Sequence, residues 1–163
     1  MMIMYDQPPA PIYRCVDCTS NEQEALVYLQ ESRGITDKNA LATVMGNIQQ
    51  ESKFIPNICE GGARVPYSQC YTGGYGIIQW TSVNRYDGLG LFASKYGGDP
   101  STFKTQLRYM VNENQWTKYE LVLKGGGQSI NYYMDHAWYW LGWGIHGNRT
   151  KYAFQYLDKF VLA

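Results

Sequence analysis

At 163 residues the chain is long enough for one domain with a proper core and too short for two comfortable ones. Fourteen basic side chains balance fourteen acidic ones, which excludes a general electrostatic attraction to nucleic acid or anionic lipid and argues for a neutral or weakly charged ligand. The longest markedly apolar stretch, 137–145, is far short of the roughly 18 residues of a membrane span, so no span is expected.

Residues 1–19 contain Pro8, Pro9 and Pro11 and no sustained helical or strand period. They read as an extended arm ahead of a domain over 20–163. No opening segment has the basic, apolar and small-residue succession of a secretory signal, so synthesis in a cytoplasm is expected. Cys15 and Cys18 form a C-x-x-C pair, and Cys59 and Cys70 flank a Gly-rich loop. This pattern admits reduced thiols, two disulfides formed in an oxidising space, or a four-thiolate zinc site, and the wide second spacing argues against the metal.

Ser20 with Gln23 reads as a capping-box start for a first helix that stops near Gly34. Thr36 and Asp37 open a second, in which Leu41, Val44, Met45 and Ile48 recur at i, i+3, i+4 and i+7 and face the core. Glu51 lies about 60° round from Ile48, near the last turn of a helix that Pro56 does not let run much further. Apolar neighbours and the negative end of the helix dipole both favour its protonated form, as a proton donor near neutral pH requires. The plainer alternative is a solvated residue at a helix boundary.

Between 56 and 81 the composition turns to Gly, Pro, Tyr and Cys, which predicts a small hairpin or three-stranded sheet and the only β-like part of the chain. Helical patterns then return. Asp99-Pro100 reads as a cap with a first-turn proline ahead of the stripe Phe103, Leu107, Met110 and Val111. After the break at Gly125-Gly126-Gly127, Ser129 can cap an aromatic helix, and Asn148 the last one, where Ala153, Tyr156, Leu157 and Phe160 recur. The expected architecture is α+β and mostly helical, with a β flap beside a substrate cleft.

The pair Gly46-Asn47…Glu51-Ser52 and Gly74-Tyr75-Gly76…Gln79-Trp80-Thr81, followed by Arg85 and Leu89 and later by Arg149, Tyr152 and Ala153, resembles the phage tail lysozyme family over roughly residues 22–160. The resemblance implies a lysozyme-like fold and cleavage of the bond between N-acetylmuramic acid and N-acetylglucosamine in peptidoglycan strands. It also implies a helix-end glutamate, here Glu51, as general acid. Members of the family are components of phage tails or act as endolysins, so phage tail proteins enter as possible partners, and the place of action is the periplasm or cell wall. Where the resemblance leads one to expect a Tyr-Glu or Trp-Glu pair near the C-terminal helices, this chain reads Tyr139-Trp140-Leu141-Gly142.

Glycosidic cleavage needs a proton on the leaving oxygen and negative or polar support for an oxocarbenium-like centre. Glu51 is the candidate for the first task. Glu60, the only acid between Glu51 and Asp87, is the candidate for the second, as nucleophile or base, against the alternative of a solvated loop glutamate. If Glu60 is only a loop residue, a single-acid lytic transglycosylase remains open, as does a fold retained for glycan binding alone. Tyr75 and Trp80 are candidate stacking faces, and Gln79 can donate to and accept from an acetamido group or tie the hairpin to its surroundings. His136 and His146 have no acid cluster near them and read as core or surface residues. No Ser-His-Asp order, phosphate loop or HExxH motif is present, and neither cofactor nor metal is expected.

Overall fold

In the computed structural model, which describes residues 12–163, the helix that carries Glu51 is buried through its middle and packs most closely against the last helix of the chain. The prolines of the arm lie outside the described residues. The chain runs through a short strand β1 (Tyr13–Cys15), helices α1 (Ser20–Glu31), α2 (Lys38–Ser52), α3 (Val83–Tyr96), α4 (Phe103–Met110), α5 (Asn114–Gly125), α6 (Ile130–Leu141) and α7 (Arg149–Lys159), and a strand β2 (Phe160–Leu162). The order is that of a mostly helical α+β, lysozyme-like fold.

The end of the predicted arm is a strand: Tyr13, Arg14 and Cys15 pair antiparallel with Leu162, Val161 and Phe160, so the two ends of the domain are joined. Three residues are too few to show a period, which is why the sequence reads them as arm. The cap of α1 is Thr19, one residue earlier than expected, in a capping box with Glu22. Gln23 is thereby freed to bond both backbone groups of Cys15 and hold β1 against α1.

Helix α2 opens where the sequence places it, with the Asp37 carboxylate accepting from the Ala40 amide. Residues 40–48 are all buried, so the predicted stripe is one side of a helix enclosed all round. Its closest neighbour is α7, and Gly46 is the reason: a β-carbon there would sit 2.6 Å from the Ala153 amide nitrogen and 2.8 Å from the Arg149 carbonyl oxygen. Lys53 and Phe54 then take left-handed backbone conformations and turn the chain into the flap.

The flap over 56–81 is irregular. Its β character is confined to the isolated bridges Ile58 with Arg64, Cys59 with Tyr75 and Tyr75 with Trp80, and the regular strands of the described residues are the terminal ones. The Tyr75 and Trp80 backbones exchange hydrogen bonds of 3.2 and 2.9 Å, so the expected hairpin exists as one closed pair. A Cys59–Cys70 disulfide staples the flap, a constraint worth about 3 kcal/mol for a loop of this length. Cys15 and Cys18 form the second disulfide, so both pairs are oxidised.

The helix predicted from Asp99-Pro100 begins later, at Phe103 after Thr102. Asp99 instead closes a turn, its carboxylate accepting from the Ser101 amide at 2.8 Å. The predicted stripe of α4 is buried. Ser129 caps α6 through the Tyr132 amide, while Asn148 stands at the cap of α7 without using its side chain, its own amide donating to Gln50 Oε1 at 2.9 Å. Helices α3 and α5 carry polar or aromatic residues through their apolar stripes, so the sequence pattern does not mark them as separate elements. No helix among the described residues is long and apolar enough to cross a membrane.

Candidate active site

Glu51 is the penultimate residue of α2 and its side chain is 16 % exposed, in the wall of a cleft of about 550 Å³. The flap contributes Ile78, Gln79 and Thr81 to the same cleft; the start of α3 contributes Arg85; and the α6–α7 connection contributes Leu141, Trp143 and Ile145. Arg149, first residue of α7, closes the back.

Several buried hydrogen bonds set this geometry. Ser52 Oγ donates to the Ile77 carbonyl at 2.8 Å, tying the end of α2 to the flap. The Ile77 amide in turn donates to Gln106 Oε1 at 2.9 Å, and Gln106 Nε2 donates to the carbonyls of Pro56 and Pro100. This packing explains the glycine after Tyr75. Gly76 has φ +86°, and a β-carbon there would lie 2.7 Å from Gln106 Oε1.

Arg149 is the principal partner of Glu51. Its Nη2 donates to Glu51 Oε1 at 2.7 Å, its Nη1 to Asn47 Oδ1 at 3.2 Å, and its guanidinium lies 4.4 Å from the centre of the Trp143 ring. Asn47 and Glu51 are four residues apart on one helix face, and Gly46 lets α7 approach close enough for one arginine to reach both. Burial pushes the Glu51 carboxyl above the ordinary glutamate value, against the pull of Arg149 beside it and, further down, of Arg85. Glu51 Oε2 has no protein partner among the described residues.

On the opposite side, Arg85 Nε and Nη2 grip both oxygens of Glu113 at 2.9 and 2.8 Å, and Trp80 Nε1 donates to Glu113 Oε1 at 2.7 Å. Trp80 and Tyr75 are both 0 % exposed. The stacking faces expected of them are therefore core surfaces: a ring with no accessible area offers none to a sugar. Trp80 packs against Tyr109, and Tyr75 donates its hydroxyl to the Val65 carbonyl. The exposed apolar wall of the cleft comes from the α6–α7 connection instead.

Gln79 does line the cleft, with φ +53° and its Nε2 donating to the Gly76 and Ile58 carbonyls at 2.9 and 3.2 Å. Its amide thus ties the hairpin together, and Oε1 has no protein hydrogen-bond partner among the described residues. Glu60 is not among the residues that line the cleft. It is exposed, and its Oε2 accepts from the Gly74 amide at 3.3 Å, so the structure places it as a loop brace rather than beside Glu51. His136 and His146 bond within their own local segments, to the Tyr132 carbonyl and to Thr150 Oγ1.

Among the lining residues Glu51 is the only carboxylate, facing two arginines. In the sequence Arg149 and Arg85 stand out only as parts of a motif, and nothing local marks Glu113. The four-residue spacing of Asn47 and Glu51 beside a mid-helix glycine was the available signal for a cation on a crossing helix. The model of one protein family, the phage tail lysozymes, matches residues 20–160. No curated protein and no solved structure gives a match. The chain belongs to the phage tail lysozyme family, a phage-associated family of lysozyme-like glycan hydrolases.

Proposed function

We propose that the protein is a muramidase of bacterial cell walls, cleaving the bond between N-acetylmuramic acid and N-acetylglucosamine with Glu51 as general acid. The observation that carries this reading is a single one: the only carboxylate among the described residues that line the cleft is also one that burial pushes above the ordinary glutamate range. An arginine cannot accept a proton, so with Arg149 donating to Oε1 the acid's own proton belongs on Oε2, the oxygen without a protein partner. Arg149 thus orients the donor as well as anchoring it.

Proton transfer to the leaving oxygen leaves Glu51 ionised, and Arg149 then stabilises the carboxylate that forms. The same carboxylate can accept the proton of the attacking hydroxyl. If that hydroxyl belongs to water the product has a reducing muramic acid end. If it is the sugar's own C6 hydroxyl, the product is an anhydro sugar, and Glu51 being the one carboxylate among the described lining residues favours this second, transglycosylase chemistry. Gln79 Oε1 is suited to an acetamido N–H, and Trp143 and Ile145 to the apolar face of a ring. The place of action is the cell wall, reached from a virion or from within an infected cell.

The test is mass spectrometry of fragments released from purified peptidoglycan by the wild type and by Glu51→Gln. Release that depends on Glu51 is expected, with the fragment termini separating hydrolysis from transglycosylation. No release by folded wild-type protein would overturn the reading in favour of glycan binding alone.

A further inference from the structure

The charges around the cleft do not cancel in the state that general acid catalysis needs. With every group ionised, Glu51 and Glu113 balance Arg149 and Arg85. Once Glu51 carries its proton, one positive charge is left over, in a wall screened from bulk water on several sides. The two arginines differ in what remains free. Arg149 is 4 % exposed, with both terminal nitrogens engaged by Asn47 and Glu51. Arg85 lines the cleft with Nε and Nη2 locked onto Glu113, and its Nη1 has no protein partner among the described residues.

That grip is itself built. Glu113 is 8 % exposed, stands behind Arg85 rather than in the cleft, and is held by the indole N–H of the fully buried Trp80. The backbone carbonyl of Arg85 is fixed as well, accepting from the Tyr109 hydroxyl at 2.7 Å. A guanidinium whose Nε edge is clamped from behind and whose Nη1 is free is pre-organised to donate to an acceptor in front of it, and loses little freedom in doing so.

We propose that Arg85 is a specificity-determining residue that recognises a carboxylate of the glycan substrate through Nη1. The inference rests on the muramidase reading for its substrate. In peptidoglycan two kinds of carboxylate could meet this residue. One is the lactyl group of a muramic acid that bears no peptide; the other is a carboxylate on the attached peptide, where the lactyl group is itself an amide. The chemistry is the same, a planar anion against a guanidinium, and it distinguishes muramic acid derivatives from uncharged hexosamine polymers.

The experiment titrates the Glu51→Gln protein, in which turnover is blocked, with N-acetylmuramic acid and with its methyl ester, following amide shifts by NMR. The free acid is expected to bind about tenfold more tightly than the ester, as fits a charge-assisted hydrogen bond. In a protein that also carries Arg85→Gln and Glu113→Gln, the preference is expected to vanish; this pair removes both charges of the Arg85–Glu113 bridge together and keeps an acceptor for Trp80. Equal affinity for acid and ester, or a preference that survives the added substitutions, overturns the proposal. Peptide-free glycan and a peptide-bearing muropeptide, titrated in parallel, show which carboxylate is the natural one. Because these are binding measurements, a protein that cleaves no peptidoglycan can still show the preference, and one that cleaves it can fail to, so the two readings fall separately.

Discussion

Two glutamates in this molecule are paired with arginines at nearly the same distance and behave in opposite ways. In the body of the domain, Glu120 on α5 receives Arg33 Nε at 2.6 Å and Nη2 at 3.0 Å, Trp116 Nε1 at 3.0 Å, and Lys124 Nζ at 3.5 Å. Burial works against its charge, but the hydrogen bonds from Arg33 and Trp116 outweigh it and hold the carboxyl below the usual range. In the cleft, Glu51 receives one arginine nitrogen on one oxygen, and burial wins. The lesson is that an adjacent arginine does not by itself make a carboxylate permanent. The balance between burial and the number of donors on its oxygens decides whether the group is a fixed anion or an acid with a proton to give.

The largest expected effect comes from erasing the acid. Glu51→Gln should lower peptidoglycan cleavage by roughly 10²–10⁴-fold, the usual contribution of a general acid, while leaving thermal unfolding at acidic pH close to wild type because Gln still accepts from Arg149. In the wild type, activity requires the protonated form, so it should fall as pH rises through a Glu51 pKa lying above the ordinary 4.5. An alkaline limb at or below the ordinary carboxylate range would break the comparison.

Gly46→Ala attacks the geometry instead of the acid. The backbone of α7 lies within 2.6 Å of the added carbon and cannot step aside without carrying Arg149 away from Glu51. A loss of about 1–3 kcal/mol in stability is expected from such overpacking, together with reduced activity. Urea titration and the cleavage assay check the two parts, and an unaffected midpoint would contradict the close crossing of α2 and α7.

The two glutamates should also leave opposite marks on the dependence of stability on pH. Glu120 has a folded pKa below its unfolded one, so its stabilisation is present at neutral pH and is lost as pH falls through the folded value. Glu120→Gln should therefore cost about 1–2 kcal/mol at neutral pH, mostly in weakened charge-assisted bonds, and the gap to wild type should close in acid. Glu51 has a raised folded pKa, so its contribution is present at low pH and is lost as pH rises through that value. Glu51→Gln should remove that decline. Denaturation midpoints across pH for both variants decide this; slopes of the same sign would defeat it.

The smallest effect is expected at Glu60. Its carboxylate braces the Gly74 amide from an exposed loop, so Glu60→Gln should keep activity within about twofold and shift stability by less than about 0.5 kcal/mol. A loss comparable with that of Glu51→Gln would restore Glu60 as a second catalytic group.

Much of the helical frame was legible because it depends on nearest neighbours. Asp37 and Ser129 cap the helices they precede, and the stripes of α2 and α4 are buried, since capping and periodicity are local. The aromatic residues of the flap are deceptive in the sequence for the converse reason. A tyrosine and a tryptophan beside glycines look like a carbohydrate platform, yet whether a ring faces solvent depends on what the rest of the chain lays over it, and here Tyr67, Tyr86 and Tyr109 do so. The strand at Tyr13–Cys15 escaped notice because its partner is at the other end of the chain.

By itself the sequence determined a mostly helical architecture, a second helix ending in an acid near its buried face, and a glycine-rich flap after it, because periodicity, caps and turn residues act over a few positions. Only the tertiary structure decided that Arg149 reaches across from α7 to orient that acid, that Glu60 lies outside the cleft, and that Arg85 is clamped by Glu113. Those pairings join residues 98 and 28 positions apart, and such distances are closed by packing, about which local spacing is silent.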